Sequence, residues 1–174
     1  MMKTVPGWAV VATTVTILGL SFAGSAAAQI KVGITLSTTG PAASLGIPEK
    51  NTVTLFPKEI AGQKMEYIVL DDASDPSTAS KNARRFVDED KVDVIIGSTI
   101  SPNSLAMIDV AAEKGTPMIS IAGASRIVEP MDAKRKWVFK TPQHDSLMAE
   151  GIIDHIGRAG RKTLAVIAQS DAYG

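Results

Sequence analysis

The first clear pattern in the chain is a strict alternation of apolar and polar residues over 30–36. Ile, Val, Ile and Leu occupy the even positions of this segment, and a period of two is typical of a β-strand. Small turn-forming residues follow at 37–41. The pattern therefore predicts a strand that ends in a small-residue loop.

Helical spacing follows the first strand. Val53, Phe56 and Ile60 recur at this spacing up to Gly62, and we predict a helix that Pro57 kinks or shortens. After a strand over 65–70, Asp75 and Pro76 are a good N-cap and first helical residue. The next helix is predicted to bury one apolar face, made of Ala79, Ala83, Phe86 and Val87.

The alternation of strand and helix continues to residue 121. A strand is predicted over 92–96, a helix from Ser101 and Pro102 to Gly115 with a buried stripe at positions 105, 108 and 112, and a strand over 117–121. Strands joined by single helices predict a parallel sheet with right-handed crossovers and helices on both faces. The predicted fold class is α/β, with a Rossmann-like sheet.

The rhythm changes after Gly123. Residues 125–136 look like a connection that leaves a first lobe, and 137–139 form only a short strand. Asp145 can cap a helix with Met148, Ile152 and Ile156 on one face, followed by a strand over 163–168. We therefore expect a first lobe at 29–140, itself incomplete, and a crossover with a truncated second lobe at 141–174.

The N-terminal segment 1–28 has the pattern of a secretory signal. Lys3 precedes an apolar run over 8–22, and small residues follow up to Ala26 and Ala28. A transmembrane anchor is the alternative, but threonines interrupt the run and no basic cluster closes it. We predict cleavage after Ala28 and a periplasmic or otherwise extracytoplasmic protein.

Composition excludes several classes of function. The chain has 18 basic and 18 acidic residues, so no basic excess favours nucleic acid as a partner. It has no cysteine, which excludes disulfides, thiolate nucleophiles and Cys-ligated zinc. Stability must come from a hydrophobic core.

Ligands of open parallel sheets bind outside the carboxyl ends of the strands. Two adjacent loops there carry small and hydroxyl residues. Ser101 opens a helix, where free backbone N–H groups attract carboxylates, although a plain capping role is the alternative. Ala122, Gly123, Ala124 and Ser125 let a ligand approach the backbone closely. We predict that Ser101, Ala122, Gly123 and Ser125 cradle one anionic group.

Other candidate chemistry is weaker. Asp71 and Asp72 suggest a ribose-binding acid or a metal pair, but the dinucleotide glycine fingerprint is absent and turn or capping roles are favoured. His144 and His155 lack a third metal ligand in sequence context. Tyr173 either faces a cleft or lies exposed at a frayed chain end. We predict no catalytic residue, no metal and no cofactor.

Five segments in order resemble the leucine/isoleucine/valine-binding branch of the type I periplasmic solute-binding proteins. They are IKVGITLSTTGPAASLG, YIVLDDASDPSTASKNARRFVDEDKVDVIIGS, PMISIAGAS, WVFKTPQHDS and SDAYG. The resemblance covers nearly all of 29–174. It implies two Rossmann-like lobes that close around an amino acid or similar small carboxylate, and an ABC transporter permease as the partner.

The resemblance also implies roles for individual residues. Ser101 matches the serine that holds the ligand carboxylate, and the loop 122–125 matches the segment that supplies backbone groups and a second hydroxyl. Tyr173 matches an aromatic residue of the second lobe, whereas Leu45 stands where some relatives carry an aromatic side chain. A ligand-sensing domain of a membrane receptor and an α/β nucleotide-dependent enzyme remain as alternatives.

The resemblance generates a first prediction. Residues 29–174 alone should bind amino acids weakly or not at all, because closure of a second lobe supplies the desolvated other half of the site. Calorimetry on this segment tests the expectation, and micromolar binding of an amino acid would contradict it.

Overall fold

The computed structural model describes residues 29–174, so the predicted signal lies outside the described residues. The strands are β1 (Ile30–Leu36), β2 (Glu59–Ile60), β3 (Gln63–Asp71), β4 (Val94–Ile96), β5 (Met118–Ser120) and β6 (Val138–Lys140). The helices are α1 (Ala43–Val53), α2 (Pro76–Arg85), α3 (Ser101–Lys114) and α4 (Asp145–Arg158). A π-helical turn at Phe86–Asp90 extends α2, and short 3-10 turns span Ser125–Ile127 and Arg135–Trp137.

One sheet joins the six strands in the order β2-β3-β1-β4-β5-β6. Every pairing is parallel except that of the short β2 with β3. The α/β class predicted from the sequence is confirmed. Because β1 lies between β3 and β4, the carboxyl ends of β1, β3, β4 and β5 share one edge of the sheet, where the loops into α1, α2 and α3 begin.

The core lies on both faces of β1. Val32, Ile34 and Leu36 form the centre of one buried cluster. The other cluster contains the predicted face of α2, and all four predicted residues are buried: Ala79, Ala83, Phe86 and Val87. On α3 the buried apolar residues are Met107, Ile108, Val110 and Ala111. Ile108 of the predicted stripe is therefore buried, whereas Leu105 and Ala112 are only partly buried.

The predicted helix over 53–60 is wrong. Helix α1 begins ten residues earlier and ends at Val53, before the backbone reaches Pro57. Glu59 and Ile60 instead pair antiparallel with the start of β3. Ala61 and Gly62 both have positive φ, 51° and 78°, which is the geometry of a tight hairpin turn. The turn at Ala61 and Gly62 thus determines the local structure, and the apolar spacing that predicted a helix does not.

The predicted strand over 163–168 is also wrong, because this segment is irregular. Its apolar side chains are exposed, and Ile167 is 100% accessible. A strand requires a neighbour to receive its backbone hydrogen bonds, and none of the described strands pairs with it. Helix α4, which precedes it, has no buried residue. Within 29–174 no helix is long and apolar enough to cross a membrane.

The close packing of β1 on α2 predicts an asymmetry between two glycines. A Cβ on Gly33 would lie 2.6 Å from the buried ring of Phe86, whereas a Cβ on Gly151 of α4 would meet nothing within 4 Å. We expect Gly33→Ala to destabilise the protein by about 1–3 kcal/mol, because the core must move. The matched Gly151→Ala should stabilise it by about 0.5–1 kcal/mol. Urea denaturation measures both, and equal effects would contradict the packing argument.

Candidate functional site

A cleft of about 750 Å³ opens where the loops after β1, β3, β4 and β5 meet. The C-terminal segment of the chain closes one part of it. Its lining residues are Pro41, Ala42, Ser44, Leu45, Ser74, Pro76, Thr99, Ile100, Ser101, Pro102, Ile121, Ala122, Gly123, Gln169, Asp171 and Tyr173. These include Ser101, Ala122, Gly123 and Tyr173 of the sequence-predicted set and omit Ser125.

Ser101 does not cap its helix. The N-cap position of α3 is Ile100, and Ser101 is the first helical residue, only 3% exposed. Its hydroxyl oxygen accepts a hydrogen bond from the backbone N–H of Ala124 at 3.2 Å. The hydroxyl hydrogen stays available, and the first N–H groups of a helix have no acceptor within the helix. The start of α3 therefore presents donors and the positive end of the helix dipole to the cleft.

The loop after β5 lies directly beside Ser101. Ala122 is buried and donates its backbone N–H to the Ser120 hydroxyl at 3.1 Å. The carbonyl oxygen of Gly123 accepts from the Lys140 ammonium at 2.5 Å. The predicted adjacency of the two loops thus exists, and it places small side chains against the helix start.

Ser125 lies apart from the cleft. It begins the 3-10 turn after this loop, and its backbone N–H donates to the carboxylate of Asp145 at 3.3 Å. Asp145 is the first residue of α4, with His144 at the N-cap position. Ser125 therefore links the segment after β5 to α4 and contributes no atom to the cleft lining.

Tyr173 lies over the loop after β5. A Cβ on Gly123 would lie 3.1 Å from Cε2 of the tyrosine ring, so the ring contacts the loop backbone. The carboxylate of Asp171 holds this turn by accepting the backbone N–H groups of Tyr173 and Gly174 at 2.8 and 3.3 Å. Tyr173 remains 52% exposed. It lines the cleft although the chain ends one residue later.

Asp72 fixes the loops behind the cleft. Its fully buried carboxylate accepts hydrogen bonds from the hydroxyls of Ser37 and Ser98 at 2.7 and 2.6 Å, and from the N–H of Ser74 at 3.1 Å. A buried carboxylate is tolerated only when such donors satisfy it. Asp72 therefore binds together the loops that follow β1, β3 and β4.

Asp71 organises the first of these loops from the solvent side. Its carboxylate accepts the N–H groups of Thr38, Thr39 and Ala73 and the hydroxyl of Thr39. Loss of solvent would raise the pKa of Asp71, but the hydrogen bonds from Thr39, Ala73 and Thr38 outweigh it and lower the pKa to about 2. Both acids thus hold turns, which was the interpretation favoured for them from the sequence.

Two residues of this region, Thr99 and Glu49, were not predicted from the sequence. Thr99 lines the cleft, and its hydroxyl donates to the carboxylate of Glu49 on α1 at 2.6 Å. The same hydroxyl oxygen accepts the N–H of Ser37 at 2.9 Å. The one indication in the sequence was Gly46, because a glycine can mark a place where two backbones approach closely. In the structure a Cβ at this position would lie 2.1 Å from the Ser37 carbonyl oxygen. That close approach sets α1 against the loop after β1 and brings Glu49 to Thr99.

Burial is the main influence on the Glu49 carboxyl, and it raises the pKa. The hydrogen bond from Thr99 opposes this, and the negative charge of Asp72 adds to it. The net effect is a pKa above the ordinary value. Glu49 is therefore protonated at higher pH than an exposed glutamate.

Comparison with known proteins agrees with this architecture. A family model described as a periplasmic binding protein matches residues 29–174. The Leu/Ile/Val-binding protein homolog 1 of Brucella abortus is 31% identical over 166 residues, a match that covers 89% of this chain and 43% of that protein. The Leu/Ile/Val-binding protein homolog 3 of Brucella melitensis is 28% identical over 162 residues, with 89% and 43% covered.

Solved structures share the fold. An extracellular ligand-binding receptor from Rhodopseudomonas palustris HaA2 is 51% identical, with a TM-score of 0.75 over 76% of this chain and 37% of that chain. A solute binding protein of an ABC transporter from Rhodopseudomonas palustris BisB5, in complex with 3,4-dihydroxy benzoic acid, is 31% identical, with a TM-score of 0.70 and the same coverage.

The chain thus spans less than half the length of these relatives, 43% of the two Brucella proteins. The family is described as periplasmic and the receptor from Rhodopseudomonas palustris HaA2 as extracellular, which supports the extracytoplasmic location predicted from the sequence. The family match extends over the whole described sheet and cleft, and the resemblance drawn from the five sequence segments is confirmed. The chain belongs to the periplasmic binding protein family.

Proposed function

We propose that this protein is the extracytoplasmic solute-binding component of an ABC importer and that it captures an amino acid or a related small carboxylate. One observation carries the proposal. The start of α3 and the loop after β5 meet at the cleft, where the Ser101 hydroxyl lies 3.2 Å from the Ala124 N–H. The residues that carry their remaining donors line the same cleft, which suits a single anionic group.

The composition of the cleft indicates how the anion is held. No lysine or arginine occurs among the described residues that line it. Lys140 lies nearby, but its ammonium donates to the carbonyl oxygens of Gly123 and Gln143. Neutral donors therefore bind the carboxylate: backbone N–H groups at the start of α3 and the hydroxyl of Ser101.

The rest of the lining suits an apolar ligand body. Leu45, Ile100, Ile121 and Tyr173 present hydrocarbon or ring surface around the donors. An aliphatic amino acid and an aromatic acid both satisfy this arrangement. The names of the relatives include both chemistries, since some are Leu/Ile/Val-binding and one is in complex with 3,4-dihydroxy benzoic acid.

The remaining features of the whole protein are part of the same proposal. Residues 1–28 act as a cleaved signal, 29–140 form the first lobe, and 141–174 cross into a second lobe whose bulk corresponds to the greater length of the relatives. Closure of the two lobes buries the ligand, and the closed form docks on a membrane permease.

A ligand-sensing domain of a membrane receptor is the second candidate. It is favoured by the relatives described as extracellular ligand-binding receptors. Ligand capture would be the same, and only the partner differs. Ligand-dependent uptake by membrane vesicles that carry the permease supports the importer, whereas a ligand-induced signal without uptake supports the receptor.

The binding site predicts distinct effects for two serines. In the protein as its gene encodes it, Ser101→Ala should weaken ligand binding by about tenfold, which corresponds to about 1.4 kcal/mol for one lost hydrogen bond. Ser125→Ala, outside the cleft, should leave the affinity unchanged. Isothermal titration calorimetry with L-leucine, L-valine, benzoate and 3,4-dihydroxybenzoate measures both.

Ser101→Ala also removes the acceptor of the Ala124 N–H, so Ser101→Thr, which keeps a hydroxyl, is the matched control and should retain most of the affinity. Thermal denaturation checks that every variant is folded. Failure of all four compounds to bind the wild-type protein, or equal losses for Ser101→Ala and Ser125→Ala, would contradict the proposed site.

A further inference from the structure

Glu49 determines whether the Thr99 hydroxyl can donate its hydrogen to a ligand in the cleft. The Thr99 oxygen accepts the Ser37 N–H at 2.9 Å and lies 2.6 Å from Oε2 of Glu49. A hydroxyl has one hydrogen. While Glu49 is ionised, the Thr99 hydroxyl donates this hydrogen to the Glu49 carboxylate. The hydroxyl therefore cannot donate to a ligand in the cleft that Thr99 lines.

Two carboxylates lie behind the donors of the cleft. Asp72 is near enough to Glu49 for its charge to act on it. None of the ion pairs among residues 29–174 includes either acid. Residues 99–104, which lead into α3 and form its first turn, carry no charged side chain. The carboxylate of a ligand would therefore add a further negative charge beside an ionised Glu49.

Other charged groups on the surrounding elements are engaged elsewhere or exposed. On β1, Lys31 pairs with Glu66 and donates to the Asp90 carbonyl oxygen. At the end of β3, Asp71 is held by the loop N–H groups. On α1 itself, Lys50 is exposed and forms no ion pair within the described chain. Protonation of Glu49 is the remaining way to remove its charge.

We propose that Glu49 is a positioning residue that couples ligand binding to proton uptake through Thr99. On binding, Glu49 takes one proton from solvent. The new carboxyl O–H donates to the Thr99 oxygen, and the Thr99 hydroxyl turns its own hydrogen toward the ligand carboxylate. One proton enters, no covalent bond of the ligand changes, and one donor is gained at the site.

The electrostatics of the site agree with this exchange. Burial already raises the pKa of Glu49 in the free protein, and a bound anion nearby raises it further because it disfavours a second negative charge. By linkage, a ligand that raises the pKa of a group binds with uptake of a proton. Affinity for an anion should therefore fall as pH rises. The inference rests on the proposed function, since it requires a ligand carboxylate in this cleft.

The test is calorimetry on the protein as its gene encodes it, from about pH 5.5 to about pH 8.5, where carboxylate ligands stay ionised. The probe is L-leucine, or benzoate where leucine gives no heat. Wild-type affinity is expected to fall by up to about tenfold per pH unit over part of this range. Repeating the titration in buffers of different ionisation heat should show net proton uptake.

Three variants assign the proton. Glu49→Gln cannot titrate, so its affinity should be independent of pH and its proton uptake zero. Thr99→Val lacks the hydroxyl and should bind more weakly with little dependence on pH. Glu59→Gln, on the exposed β2, is the matched control and should keep the wild-type profile. Thermal denaturation confirms folding, and Thr99→Ser should restore the proton uptake.

The outcomes separate the two proposals. Binding by the wild type without proton uptake, or uptake that persists in Glu49→Gln, overturns the role of Glu49 and leaves the binding function intact. Absence of binding at every pH overturns the binding function, and the role of Glu49 with it.

Discussion

The buried carboxylate of Asp72 is the interaction on which the cleft depends. Asp72 follows the end of β3, and it accepts hydrogen bonds from Ser37 after β1 and from Ser98 after β4. A carboxyl group without exposed surface must be satisfied by hydrogen-bond partners. The three loops therefore cannot separate without leaving the Asp72 carboxyl group unsatisfied, and together they form one platform at the rim of the sheet.

The other features of the cleft are built on this platform. Thr99, one residue beyond Ser98, receives the Ser37 N–H and reaches Glu49 on α1. Ser101, two residues farther on, receives the Ala124 N–H and so joins the loop after β5. Three hydroxyl residues between the end of β4 and the start of α3 thus connect α1, β1, β3 and β5. Hydroxyls suit this task because each one donates and accepts.

The N-terminal and C-terminal parts of the described chain differ in how completely they are packed. The sheet from β1 to β5 buries its apolar faces in two clusters under α1, α2 and α3. Helix α4 and the segment 163–168 carry equally apolar patterns, yet Ile152 and Ile167 remain exposed. The spacing of apolar residues indicates which side chains are suited to burial. They are buried only where another helix or strand packs against them.

The sequence by itself determined the α/β class, the edge of the sheet where the cleft lies and the two loops that border it. These follow from local periodicity, caps and turn residues such as Asp75 and Gly115, which act within a few positions of the chain. Tertiary structure decided the rest. The hairpin at Ala61–Gly62 replaced a predicted helix, Ser101 became a tertiary acceptor rather than a cap, and Ser125 turned toward Asp145. Glu49 met Thr99 across fifty positions of sequence, because contacts between distant segments form only when the sheet brings them together, and no local pattern encodes them.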